Sequence, residues 1–171
     1  MSRSTEERMA EHATEHLNVT ASPERCVEVA LDFEQYPSWA PDIKGATVLA
    51  RDEKGRGTRV AFRAAAMGRS ASYVLEYSYG DDATDATDGT DVTGSAAARS
   101  IRWTLLEGDI MRVLDGSYVF EPAVDGTTDI TYRLTVDLVV PIPGFVKRRA
   151  EGKIMGTALR ELKHRVESLT V

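Results

Sequence analysis

Aromatic side chains recur on one parity of several strand-like segments, and no other pattern in the chain has a clearer chemical use. Tyr73 and Tyr77 share a face of the alternating run 70–79, and Trp103 sits with Ile101 and Leu105 in 99–106. Tyr118 and Phe120 fall together with Leu114 in 111–121, and Tyr132 with Ile130 and Leu134 in 126–139. A shared inward face of this kind either fills a core or walls a cavity for an apolar molecule. In the second case phenol hydroxyls orient the polar atoms of the bound molecule.

Other combinations offer less. His12 and His16 stand four residues apart, a spacing that metal ligands use on a helix, but no third ligand lies nearby and no metal is expected. Asp82, Asp85, Asp88 and Asp91 recur every three residues. A calcium loop needs alternate positions and a closing Glu, so a flexible acidic surface loop is expected instead. Cys26 lies on the apolar face of a short helix and reads as a small buried hydrophobe. There is no Gly-x-Ser-x-Gly elbow and no Cys/His pairing, so nucleophilic catalysis finds no support. Gly55-x-Gly57 lacks the third glycine and the strand–helix setting of a nucleotide fingerprint, and reads as a turn. No cofactor is expected, and spacing alone names no catalytic residue.

The elements that must hold the aromatics follow from periodicity and turn chemistry. A short strand at 16–21 leads to Ser22-Pro23, an N-cap with proline at the first helical position. One or two short helices follow, breaking up around Tyr36–Pro41. Six strands then run as a meander, Ile43–Arg51 and Thr58–Met67 being the first pair. Pro141-Ile142-Pro143-Gly144 ends the last strand and opens a helix expected over Pro143–Leu169. Its apolar positions, Phe145, Val146, Ile154, Met155, Ala158, Leu159, Leu162, Val166 and Leu169, recur at three- and four-residue steps. Gly152 and Gly156 weaken this helix by about 1 kcal/mol each against Ala; room for a ligand or close packing would account for them. The order strand, short helices, strands, long helix is an α+β design with helices on one face of a sheet.

Composition narrows the partners. The 171 residues, 42% hydrophobic and 28% charged, suffice for one domain with a real core. A net charge of −6 argues against binding nucleic acid through its phosphates. The single cysteine precludes an internal disulfide, and there is neither a leader-like apolar run nor a membrane-length one, so a cytoplasmic location is expected. Charge is uneven: residues 81–98 carry five Asp and no Lys or Arg, whereas 147–171 carry seven Lys/Arg against three Glu. Lys147, Arg148 and Arg149 beside Phe145 suggest a weak peripheral membrane contact, set against the plainer reading of a solvated basic face. Residues 1–12 are polar and expected to be disordered, leaving 13–171 as the domain.

Several local words in this order resemble the START-like/Bet v 1-like (SRPBCC) superfamily, in particular its polyketide cyclase/dehydrase and coenzyme Q-binding branch. They are Asp32-Phe33-Glu34-Gln35-Tyr36-Pro37-Ser38-Trp39, Gly55-Arg56-Gly57-Thr58-Arg59-Val60, Gly116-Ser117-Tyr118-Val119-Phe120-Glu121-Pro122 and the run Pro141–Arg149. The resemblance extends over about residues 13–170. It implies a helix-grip, a bent antiparallel sheet wrapped around the long C-terminal helix with a ligand cavity between them. Tyr73, Tyr77, Trp103, Tyr118, Phe120 and Tyr132 are then expected to contact a hydrophobic small molecule (lipid, polyketide or isoprenoid), with Phe145, Met155 and Leu159 closing the cavity. Binding or transport is the first functional reading. A polyketide aromatase/cyclase-type enzyme, catalysing aldol cyclisation and dehydration, is the second, and a regulatory module with a vestigial cavity is the third.

Overall fold

The structure is a computed structural model, described here for residues 11–66, 68–80, 99–139 and 141–169. Strand β1 (Glu11–Val19) is followed by helix α1 (Pro23–Leu31), a 3-10 turn (Phe33–Gln35) and the single-turn helix α2 (Tyr36–Trp39). Then come β2 (Ile43–Arg51), β3 (Gly57–Ala66), β4 (Arg69–Tyr79), β5 (Arg99–Gly108), β6 (Met111–Pro122) and β7 (Thr128–Leu138), and finally helix α3 (Gly144–Ser168). The strands form one antiparallel, bent, seven-stranded sheet in the order β1-β7-β6-β5-β4-β3-β2, with α3 across its concave face: an α+β helix-grip. Register shifts in the β2–β3, β4–β5 and β6–β7 pairings mark where the ladder is irregular, and such bulges add bend and twist.

The α1 start is built as its sequence dictates. Ser22 Oγ accepts from Arg25 N at 3.3 Å, and Pro23 takes the first helical position, where its missing N–H costs nothing. Helix α3 has no side-chain cap; the Pro143 carbonyl receives Val146 N and Lys147 N, both at 3.0 Å. Its 25 residues span about 37 Å at ~1.5 Å each, enough to cross the sheet. Cys26 is fully buried in the core, and that burial raises its thiol pKa.

The first strand is longer than its hydrophobic pattern suggests. It takes in Glu11 and His12, because the ladder with β7 continues to the Glu11–Val136 pair. Both histidines sit on its exposed face, His12 Nδ1 2.8 Å from Thr135 Oγ1 and His16 Nδ1 3.0 Å from Thr131 Oγ1. Cross-strand pairing, rather than apolar burial, accounts for that extension. Residues 1–10 and the acidic stretch 81–98, on which the expectations of a disordered terminus and a flexible loop fall, lie outside the described residues.

Three rows of α3 have distinct surroundings. Glu151, Met155, Leu159, Leu162 and Val166 are buried. Ala150, Ile154 and Ala158 face a cavity, and Val146, Arg149, Lys153, Thr157 and Glu161 form its edge. Gly152 and Gly156 belong to none of these rows. A Cβ at Gly152 would meet nothing within 4 Å, and one at Gly156 only the Arg160 guanidinium at 3.9 Å. Neither glycine makes room for a ligand or for close packing.

Candidate functional site: a cavity under the last helix

Between α3 and the sheet lies a cavity of about 510 Å³, within the roughly 300–1,000 Å³ usual for small-molecule sites. Strand pairing places its aromatics. Tyr77 is opposite Trp103, Tyr118 is opposite Tyr132, and Trp103 is opposite Gly116, so one inward parity on four neighbouring strands converges. Ring centroids are 5.9 Å apart for Tyr77–Trp103, 5.3 Å for Trp103–Tyr118 and 5.0 Å for Tyr118–Tyr132. Tyr73 stacks on Phe62 at 5.4 Å. Tyr36 and Trp39 from α2 close one side, their centroids 4.8 Å apart.

Of the nine residues singled out in the sequence, Tyr73, Tyr77, Trp103, Tyr118 and Tyr132 line this cavity. Phe120, Met155 and Leu159 are in the core but off the wall. Phe120 lies at the far end of β6, opposite Ile130, and the other two lie on the buried row of α3. Phe145 is 63% exposed and stands clear of the wall. The apolar periodicity of α3 covers two adjacent rows, and the row offset by one residue (Ala150, Ile154, Ala158) is the one that faces the cavity.

The tyrosines are chemically quiet. Burial pushes the phenols of Tyr36, Tyr77 and Tyr132 well above their ordinary value of 10, and neighbouring phenols add to the effect. Burial raises Tyr73 and Tyr118 as well. At neutral pH these groups are uncharged, so they donate and accept hydrogen bonds without serving as bases. Tyr36 Oη is taken up by the Ala30 carbonyl. The hydroxyls of Tyr73, Tyr77, Tyr118 and Tyr132 have no hydrogen-bond partner among the described residues, so they are available to a bound molecule.

The charged part of the wall was not evident from periodicity. Arg69 at the start of β4, Asp42 before β2, and Arg149, Lys153 and Glu161 on α3 all line the cavity. Burial raises the Glu161 carboxyl pKa, and the nearby Asp42 carboxylate raises it further, with Arg160 opposing. Glu161 is close enough to Tyr118 to disfavour its ionisation. Among the described residues no group of three or more His, Cys, Asp or Glu is placed to hold a metal.

The basic run at the start of α3 is not uniformly exposed. Lys147, expected on a solvated or membrane-contacting basic face, is buried, 7% exposed, and its Nζ lies 2.6 Å from Asp137 Oδ1 and 3.7 Å from Glu151 Oε2. Glu151 Oε2 accepts Leu138 N at 2.8 Å, while Oε1 is buried without a hydrogen-bond partner among the described residues. Arg112 Nε approaches Asp137 Oδ2 at 3.6 Å. This clasp fastens the first turns of α3 to the end of β7, immediately beside the cavity-lining Val146 and Arg149.

Burial raises the Glu151 carboxyl above its ordinary value of 4.5, Asp137 and Glu11 adding to it and the Leu138 N–H and Lys147 opposing. A carboxyl raised on folding contributes stability that is complete below its unfolded value. That stability is lost as pH rises through the folded value. Glu151→Gln is therefore expected to flatten the fall of stability with rising pH above about 4.5. Urea unfolding of both proteins at a series of pH values checks this, and parallel profiles would refute it.

Comparison with known proteins agrees with the geometry. The family model described as "Polyketide cyclase / dehydrase and lipid transport" matches residues 10–167. None of the curated proteins matches the chain. Among solved structures, a START superfamily protein from Mycobacterium smegmatis is 25% identical, with a TM-score of 0.74 over 93% of this chain and 99% of that one. A STAR-related lipid transfer protein from Xanthomonas axonopodis is 15% identical, with a TM-score of 0.69 over 91% and 85% of the two chains. The Zhui aromatase/cyclase from a Streptomyces species is 13% identical, with a TM-score of 0.65 over 92% and 94%; these last two likenesses concern the fold. With a helix-grip, a cavity beneath the last helix and a model match over nearly the whole length, the chain belongs to the polyketide cyclase/dehydrase and lipid transport family of the START-like superfamily.

Proposed function

We propose that this protein binds a hydrophobic small molecule in the cavity beneath α3 and carries or sequesters it. The observation that supports this reading most is the wall itself. It is an aromatic and aliphatic enclosure of about 510 Å³ containing four tyrosine hydroxyls without hydrogen-bond partners among the described residues. Apolar surface leaving water supplies the driving force, and the hydroxyls orient whatever polar atoms the ligand carries. Lipid transfer by the Xanthomonas relative makes a lipid the natural first class to try.

Filling the space tests the reading. Ala158 faces the cavity from α3, and Ala158→Trp is expected to keep the fold while weakening binding of a long-chain alcohol such as dodecanol by about tenfold or more, since one displaced, well-buried side chain equivalent amounts to roughly 1.5–3 kcal/mol. Native mass spectrometry of both proteins with dodecanol measures it. Equal occupancy in the two would place binding elsewhere.

A second reading rests on Glu161. Aldol closure and dehydration need an acid or base near the bound carbonyls, and Glu161 is a carboxyl on the cavity wall whose proton affinity is raised by burial and by Asp42. The Streptomyces relative is an aromatase/cyclase. Under this reading, Glu161→Gln abolishes turnover of a poly-β-ketone chain while leaving its binding intact. Absence of turnover by the unaltered protein on such a chain rejects it.

A further inference from the structure

We infer that the ligand is an amphiphile with an anionic group at one end, its apolar body inside the cavity and its charged end between Arg69, Arg149 and Lys153; this rests on the cavity being the binding site. All three cations line the cavity. They come from two elements: Arg69 opens β4, while Arg149 and Lys153 stand one turn apart on α3. None of them makes an ion pair with another described residue. The carboxylates of the same wall do not neutralise them. Asp42 and Glu161 form no ion pair with a described residue, and burial together with the Asp42 charge raises the Glu161 carboxyl pKa.

The edge row of α3 is ordered. From its N-terminal end it reads Val146, Arg149, Lys153, Thr157, Glu161: apolar, cation, cation, hydroxyl, acid. Lys153 and Glu161 are eight residues apart, about 12 Å along the axis at ~1.5 Å per residue. A chain of net charge −6 thus presents a cationic stretch at the edge of its apolar cavity. Arg149, Lys153 and Arg69 are exposed, so their head groups stay hydrated when the cavity is empty and need no burial to meet a ligand. Guanidinium forks match carboxylate or phosphate oxygens bidentately, and the ammonium adds a point charge. A carboxylate and a phosphate monoester are equivalent to this set; a neutral alcohol gains nothing from it, and an ammonium group is repelled.

Three probes of one chain length separate the possibilities: dodecanoate, dodecanol and dodecylamine, each titrated by isothermal calorimetry at low salt. Dodecanoate is expected to bind about tenfold or more tightly than dodecanol, with the amine weakest, and added salt should narrow the gap because the cations are exposed. Arg149→Glu/Lys153→Glu should erase the preference, read in each protein as the ratio of dodecanoate to dodecanol affinity; Arg149→Gln/Lys153→Gln, which adds no repulsion, should erase most of it. Dodecyl phosphate and inorganic phosphate form further arms. Tight binding of the first alone assigns a phosphate-bearing amphiphile, whereas binding of inorganic phosphate alone would make the rim an ion site and overturn the inference. Equal affinity for dodecanoate and dodecanol, or tighter binding of the amine, also overturns it while leaving the hydrophobic site standing. Failure of all three chains to bind rejects the cavity reading itself.

Discussion

Replacing Lys147 by Met is expected to cost about 3–5 kcal/mol of stability at neutral pH, the penalty typical of removing one partner from a buried ion pair. The physical reason is what remains behind. Asp137 and Glu151 are 3% and 0% exposed, and without the ammonium between them two carboxylates share one dry site. Arg112 at 3.6 Å offsets Asp137 only in part, because its side chain is half exposed. The loss should shrink as pH falls and Glu151, whose carboxyl pKa burial raises, takes up a proton. It should also shrink in the triple variant Lys147→Met/Asp137→Asn/Glu151→Gln, which removes the stranded charge. Chemical denaturation at neutral and acid pH measures all three proteins. A Lys147→Met protein as stable as the parent at neutral pH would mean that the clasp does not hold α3 to β7.

Gly116→Val is expected to destabilise the sheet by about 3 kcal/mol or more, at the upper end of overpacking effects. A Cβ at Gly116 would lie 2.5 Å from the Arg133 carbonyl oxygen on β7 and 2.5 Å from the Trp103 ring. The carbonyl belongs to the sheet ladder and has little freedom to retreat, so Ala already strains the site. The Trp103 ring walls the cavity, so displacing it disturbs the site. Stability and binding should therefore fall together here, in contrast with Ala158→Trp, where binding alone is lost. Urea unfolding with near-ultraviolet circular dichroism reads both the stability and the Trp103 environment. An unchanged midpoint would show that β6 shifts away from β7 at no cost.

How far the sequence reveals this protein depends on which interaction decides each feature. Strand parity is a period-two signal with one covered face, so Tyr77, Trp103, Tyr118 and Tyr132 could be grouped before any fold was known. The α1 cap and the Pro141–Gly144 break are local chemistry, and local chemistry is written in consecutive residues. The cavity-facing row of α3 is not. Met155 and Leu159 are as apolar as Ile154 and Ala158, and only the packing of the helix against β1 and β7 decides which pair is covered.

 Lys147 was equally hidden: a lysine beside two arginines reads as surface, yet the helix places it over Asp137 and over Glu151, four residues on, while Arg149 turns to the cavity edge. Arg69, Asp42 and Glu161 come from three separate elements, and their convergence is a property of the tertiary fold alone.

The most direct measurement of the central claim uses the chain's own reporters. Its two tryptophans, Trp39 and Trp103, both line the cavity. A ligand carrying a heavy-atom quencher at its far end, ω-bromododecanol, should therefore quench the emission of both on binding. The quenching should saturate at one equivalent per chain, and unlabelled dodecanol should reverse it by competition. Binding of ω-bromododecanol that leaves the tryptophan emission unchanged would contradict the account, because it would put the ligand somewhere other than beneath α3.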